Sequence, residues 1–176
     1  TKFYRQMGLI YDFKLRQIKN ADGRVVVENK YDKDGNLVWT RNLIGTVTQF
    51  EMNPQGKIGK IMRTYKDSVP EMVAMLEYDK EGRLTRLTDA LNQRQEWCYN
   101  PAGDLVEAVD QENCRYQFHY DSRGLLLFYT DAEGNLWKMD YDAHGRPARL
   151  TAPNGVQTEY KTDQAGRVTA VERLLP

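Results

Sequence analysis

The carboxylates are the first residues in this chain whose type and spacing suggest chemistry. Asp and Glu number 25 among 176 residues. Aspartates recur beside tyrosines and just ahead of glycines, a regularity that would suit repeated calcium sites or paired acid/base groups. A turn supplies a simpler cause, because an Asp side chain accepts hydrogen bonds from nearby backbone N–H groups and fixes a tight bend. Calcium-binding β-solenoid repeats use nonapeptide runs of glycine and aspartate, and this chain has none. His119 stands where equivalent positions carry Cys98, Asp140 and Lys161, and His144 lies inside a Tyr-Asp-Ala-His-Gly turn. Both read as solvated surface histidines, since neither has a Cys or carboxylate at metal-ligand spacing. There is no phosphate-cradling Gly-rich loop, no G-x-S-x-G and no H-E-x-x-H. The expectation is a non-enzyme with no catalytic residue, no metal and no cofactor.

Two further groups bear on chemistry. Phe50, Trp97, Phe118 and Tyr160, with Met139, each lie two residues before a repeated position. Such a stripe would serve as a sugar-binding platform, but its regularity points to a buried structural stripe that packs neighbouring hairpins. Cys98 and Cys114 fall at offsets of opposite parity on strands two apart, hence on opposite faces, and are expected to be free thiols.

The elements that would position these groups follow from a repeat. Aligning on glycine gives Gly35, Gly56, Gly82, Gly103, Gly124, Gly145 and Gly166, with successive gaps of 21, 26, 21, 21, 21 and 21 residues. Four residues earlier stand Tyr31, Met52, Tyr78, Tyr99, Tyr120, Tyr141 and Thr162, followed by Asp32, Asn53, Asp79, Asn100, Asp121, Asp142 and Asp163. The unit is Tyr-Asp-x-x-Gly. A second landmark lies fourteen residues after the tyrosine position at Gly45, Asn92, Asn113, Gly134 and Gly155. Gly and Asn adopt positive φ most readily, so each unit holds two tight turns separated by strands. One strand shows period-two alternation, as in Tyr116-Gln117-Phe118-His119-Tyr120. The spacing predicts one β-hairpin per repeat.

The reading is therefore a single all-β domain over residues 1–176: tandem ~21-residue β-hairpin repeats making one curved, twisted antiparallel sheet of about fifteen strands. Residues 31–176 hold seven clear copies, with a five-residue insertion between Gly56 and Gly82. Residues 1–30 hold a degenerate copy that begins at Tyr11-Asp12. Fifteen strands at ~4.8 Å give a sheet roughly 70 Å across, about half of the ~130–140 Å needed to surround a 100-residue domain. Two open edges are expected, through which the chain would self-associate.

Composition bounds the partners. Lys and Arg also number 25, so net charge is zero, which argues against nucleic acid and against a polybasic membrane anchor. Mean hydropathy is −0.73, with no apolar run long enough for a membrane helix and no signal-peptide pattern. The absence of a Met before Thr1 reads as a fragment or a processed product.

The units YDKDGNLV, YDKEGRLT, YNPAGDLV, YDSRGLLL and YDAHGRPA resemble the YD repeats of the rearrangement-hotspot (Rhs) family, a pattern also found in insecticidal toxin complexes and in teneurins. The resemblance implies a β-sheet shell that encloses a toxic C-terminal domain in the bacterial members and is part of an extracellular adhesion protein in teneurins. It implies a secreted or cell-surface bacterial location and a protein partner, either toxin cargo or a secretion-system component. A carbohydrate-binding or adhesion module is the alternative. The family's Asp-Pro dipeptide and autoproteolytic aspartate site have no counterpart here, so self-cleavage is not carried over to any residue. What the resemblance identifies is a structural signature: Tyr31, Asp32, Gly35, Gly56, Tyr78, Asp79, Gly82, Tyr99, Gly103, Tyr120, Asp121, Gly124, Tyr141, Asp142, Gly145, Asp163 and Gly166.

Overall fold

A computed structural model describes residues 14–66 and 68–175. The degenerate Tyr11-Asp12 start lies outside the described residues. Every regular element described is a strand: β1 (Gln17–Lys19), β2 (Val25–Tyr31), β3 (Leu37–Asn42), β4 (Val47–Met52), β5 (Ile58–Thr64), β6 (Glu71–Tyr78), β7 (Leu84–Asp89), β8 (Arg94–Tyr99), β9 (Leu105–Val109), β10 (Arg115–Tyr120), β11 (Leu126–Thr130), β12 (Leu136–Tyr141), β13 (Pro147–Thr151), β14 (Gln157–Thr162) and β15 (Val168–Leu174). They form one antiparallel sheet whose spatial order is the chain order, as the hairpin repeat predicts. The chain divides into two compact units. One runs to Gly82 and includes Thr88–Asn92; the other comprises Arg83–Leu87 and everything from Gln93.

In each unit the strands are joined by two alternating kinds of turn. The hairpins closed by the Tyr-Asp-x-x-Gly segment, here called YD turns, pair right up to the turn and then slip by one residue. Tyr31 faces Leu37 while Lys30 faces Trp39, and Tyr120 faces Leu126 while His119 faces Phe128. The third residue after the glycine is thus a β-bulge: Val38, Gly59, Val106, Leu127, Ala148 and Thr169. A bulge resets the side-chain alternation and increases local twist, which explains why Leu125-Leu126-Leu127-Phe128 shows no period of two. The intervening interfaces are shorter. β3 with β4, β9 with β10, β11 with β12 and β13 with β14 each pair over three residues beside the opposite turn and then stop.

The sheet has no second layer among the described residues. No side chain is fully buried, and the lowest exposures belong to Ala74, Thr46 and Thr88, at 9%, 9% and 8%. The stripe of Phe50, Trp97, Phe118, Met139 and Tyr160 is half-buried rather than buried, because a stripe on a one-layer sheet is covered only by its neighbours along the sheet. Those neighbours stack across strands: Phe118 with Tyr129 at 6.2 Å, and Tyr129 with Trp137 at 5.9 Å and 1° between planes. His119, expected as a plain surface residue, stacks on Phe128 at 4.3 Å on the other face. Cys98 and Cys114 are both free thiols.

Candidate functional site

Each YD turn is a four-residue bend in which the glycine N–H donates to the carbonyl of the Asp or Asn three residues before it, as in Gly103 to Asn100 at 3.0 Å and Gly145 to Asp142 at 3.0 Å. The glycine then takes positive φ, from 74° at Gly56 to 102° at Gly103. The loop is three residues long and ends on a left-handed residue, a common closure of a β-hairpin. The aspartate locks it. Asp121 Oδ1 accepts the N–H groups of Arg123 (2.8 Å) and Leu125 (3.0 Å). Asp142 Oδ1 does the same for His144 and Arg146, and Asp32 for Asp34 and Asn36. Asn53 and Asn100 act as neutral equivalents, while Asp79 accepts Gly82 N–H on its carbonyl. Donated backbone N–H groups favour the charged form. The Leu125 N–H holds the Asp121 carboxyl below the usual carboxylate range, and the N–H groups of Arg146 and Arg167 do so for Asp142 and Asp163. At Asp32 the Asn36 side chain is the main cause.

The opposite turns use the same device. Asp110 and Asp131 each accept two N–H groups, and Asn92 and Asn113 reach φ 62°. Two positions escape a reading of spacing. Lys66, at φ 49°, falls on the landmark of the second clear copy, but as an inner residue of a bend that Ser68 N–H closes onto the Tyr65 carbonyl at 2.9 Å. Gly23, at φ 79°, closes the turn beginning at Asn20. It lies 12 residues before Gly35, where the copies without the insertion have 11, and its signal was the Asn-Ala-Asp-Gly tetrapeptide.

The tyrosines tie one repeat to the next. Where the short interfaces stop pairing, a carbonyl at the start of the preceding strand lacks a ladder partner, and a tyrosine hydroxyl donates to it. Tyr99 reaches Leu84 O (3.0 Å), Tyr120 reaches Leu105 O (2.9 Å) and Tyr141 reaches Leu126 O (2.9 Å). In the first unit Tyr31 reaches Leu15 O (3.1 Å) and Tyr78 reaches Ile58 O (3.0 Å). Burial raises the Tyr120 and Tyr141 hydroxyls above their usual range.

A second tie comes, in several copies, from a cation that leans forward onto the next repeat; in the clear copies it is the residue after the glycine. Lys14 Nζ lies 5.6 Å from the Tyr31 ring centroid, Lys57 Nζ 5.6 Å from that of Tyr78, and the Arg83 guanidinium carbon 4.8 Å from that of Tyr99. Arg83 also donates to the Asn100 carbonyl (3.2 Å), as Arg146 does to that of Asp163 (3.2 Å). Sequence reasoning assigned this position no role, although Lys or Arg stands there in several copies. Between the turns at 100–104 and 121–125 lies an open groove of ≈ 570 Å³, whose walls include Asn100, Asp104, Tyr120, Asp121 and Arg123. Among the described residues, no three His, Cys, Asp or Glu side chains converge as a metal-ligand set.

This combination defines a repeat protein in which most hairpins are stitched to their predecessors at the YD turn. The sequence model of the Teneurin YD-shell family matches residues 64–173, and the chain belongs to that family. Solved structures share the fold at 14% identity. They include TcdB2-TccC3-Cdc42 (TM-score 0.72), TcdB2-TccC3 without its hypervariable C-terminal region (TM-score 0.73), and a Photorhabdus luminescens Tc holotoxin pore (TM-score 0.70). In each case 84% of this chain is covered, and the chain spans 9% of the matched one. No curated protein matches by sequence.

Proposed function

We propose that the chain is a structural segment of a YD shell in an Rhs-like or toxin-complex protein, secreted or displayed at a bacterial cell surface, where it encloses or presents a protein partner such as a toxin domain. The observation that carries this reading is the single-layer sheet. Sheets normally bury a face against a second layer, and here no side chain is fully buried among the described residues. A partner held against the sheet would supply that cover. Family membership and fold neighbours that are toxin-complex assemblies support the same reading. The role is mechanical rather than catalytic: the YD turns, tyrosine hydroxyls and forward-leaning cations hold successive hairpins in register. A carbohydrate-binding module is less well supported, because Phe118, Tyr129 and Trp137 stack on one another, whereas a sugar platform needs a free ring face.

The test uses the protein made from its complete reading frame, beside a version lacking residues 83–175. A partner domain that resists protease in the complete protein and is cleaved once those residues are removed supports the reading. Equal cleavage in both overturns it.

A further inference from the structure

The repeats are copies of one another, so a repeat that lacks a part displays what the part would be. At Tyr31, Tyr78 and Tyr99 a Lys or Arg from the preceding repeat lies over the ring. At Tyr120 the corresponding residue is Asp104. Its side chain takes the same path as the others: Oδ1 lies 3.7 Å from where a Cβ on Gly124 would stand, just as Arg83 Nη1 lies 3.7 Å from the same point on Gly103. Asp104 is too short to cover the ring and has the wrong charge to do so, and the ≈ 570 Å³ groove opens there. One repeat later Leu125 takes the position and closes onto Gly145 at 3.4 Å.

We infer that the groove over Tyr120 is a binding site for a basic side chain, best an arginine guanidinium, presented by an extended segment of a protein partner. Each group that such a side chain needs is in place. The Tyr120 ring offers the face that Arg83 covers at Tyr99, and guanidinium is the cation that stacks best on an aromatic ring. The Asp121 carbonyl accepts Gly124 N–H at 3.0 Å and keeps a second lone pair, the one that Arg83 Nη1 fills on Asn100. Asp104 holds Asn100 Nδ2 on Oδ2 at 3.0 Å, leaving Oδ1 toward the groove as the counter-charge. Arg123, also on the groove wall, turns instead to the Asp121 carboxylate, with Nε at 2.8 Å and Nη2 at 2.7 Å. The net charge left facing the groove is therefore that of Asp104. This assignment rests on the comparison of repeats and stands whether or not the chain forms part of a shell.

The experiment titrates the full chain with the tripeptide acetyl-Gly-Arg-Gly-amide and follows the Tyr120 ring resonances. Its citrulline counterpart controls for charge, and spermidine tests a non-protein source of cation. Two variants carry residues that this chain already tolerates at the equivalent position: Asp104→Arg, after Arg83, and Asp104→Leu, after Leu125. The expected result is a saturable shift at Tyr120 with the arginine peptide, no saturation with citrulline, a smaller response to spermidine, and at least tenfold weaker binding by both variants. Undiminished binding in either variant, an equal response to citrulline, or shifts spread evenly over Tyr31, Tyr78 and Tyr99 would overturn the site. A stronger response to spermidine than to the peptide would overturn the assignment of a protein partner.

Discussion

The YD turns and the opposite turns are built on the same local chemistry yet do different work. In both, most members bend through an Asx cap and a residue of positive φ, Ala152–Gly155 being an opposite turn without the cap. Only the YD turns carry ties to the preceding repeat, because only there do the short interfaces stop pairing and leave a carbonyl for a tyrosine to reach. The opposite turns of the first unit instead expose apolar tips, with Leu43 60%, Ile44 70%, Val69 81% and Leu91 79% accessible. The difference teaches that turn formation and repeat coupling are separate properties. One belongs to four consecutive residues and the other to a pair of repeats.

The widest gap should appear between glycines that carry the turn and a glycine that does not. Gly103→Val forces a β-branched residue to φ 102° and should cost on the order of 1–3 kcal/mol. Gly59→Val, at a bulge without positive φ, has the Asn53 Cβ at 3.3 Å and the Asn53 N and Glu51 O backbone atoms at 3.6 and 3.7 Å, and should cost less. Thermal melts that reverse the order would detach the landmark from the turn.

Next comes the coupling itself. Tyr141→Phe removes the donor to Leu126 O and should cost about 1 kcal/mol, with faster hydrogen exchange at the start of β11. Thr162→Tyr, in one of the two clear copies (Met52 and Thr162) that lack the tyrosine, should recover part of that stability. If Tyr141→Phe melts like the parent, the hydroxyls are not ties.

At the opposite turns, Leu91→Ser should leave the melting temperature nearly unchanged, within about 0.5 kcal/mol. It should lower any self-association seen by light scattering, since an exposed apolar tip contributes to contacts with other molecules rather than to the fold. A large loss of stability would mean that these tips are structural after all.

The smallest effect is in acid. Asp32, Asp121, Asp131, Asp142 and Asp163 have folded-state pKa values below their ordinary value of 3.8. Their contribution is therefore complete above the ordinary carboxylate range and is lost as pH falls through it toward the depressed values. Asp121→Asn with Asp142→Asn keeps the acceptor, as Asn53 and Asn100 do. Denaturant midpoints measured between pH 6 and pH 3 should fall less steeply for this pair than for the parent; an unchanged slope would place the acid sensitivity elsewhere.

What the sequence revealed follows the same division. Asp32, Gly35 and their equivalents were legible because a tight bend makes its demands within five residues: an acceptor at one end and a left-handed backbone at the other. The strand count and the free thiols followed from the turn spacing and side-chain parity. The acceptor of each tyrosine was not legible, since it lies 15 residues away in the regular copies and becomes available only where pairing stops. The bulges at Val106 and Leu127 were hidden because the residues at that position, Val, Gly, Leu, Ala and Thr, are ordinary strand residues and glycine, with no signature of a bulge. The aromatic stripe was visible as a stripe, but its half-burial depends on the missing second layer, which no periodicity encodes. The groove at Asp104 could be seen only by setting one repeat against another in three dimensions.

The sheet order has one more consequence. Because each strand's partners are its neighbours in the chain, no pairing waits for a distant segment to arrive, and the loop-closure entropy that slows most β-proteins is small at every step. Such a chain can fold vectorially, each hairpin docking on the last as it leaves a ribosome or a translocation pore. Force applied at either end would in turn unzip it one hairpin at a time.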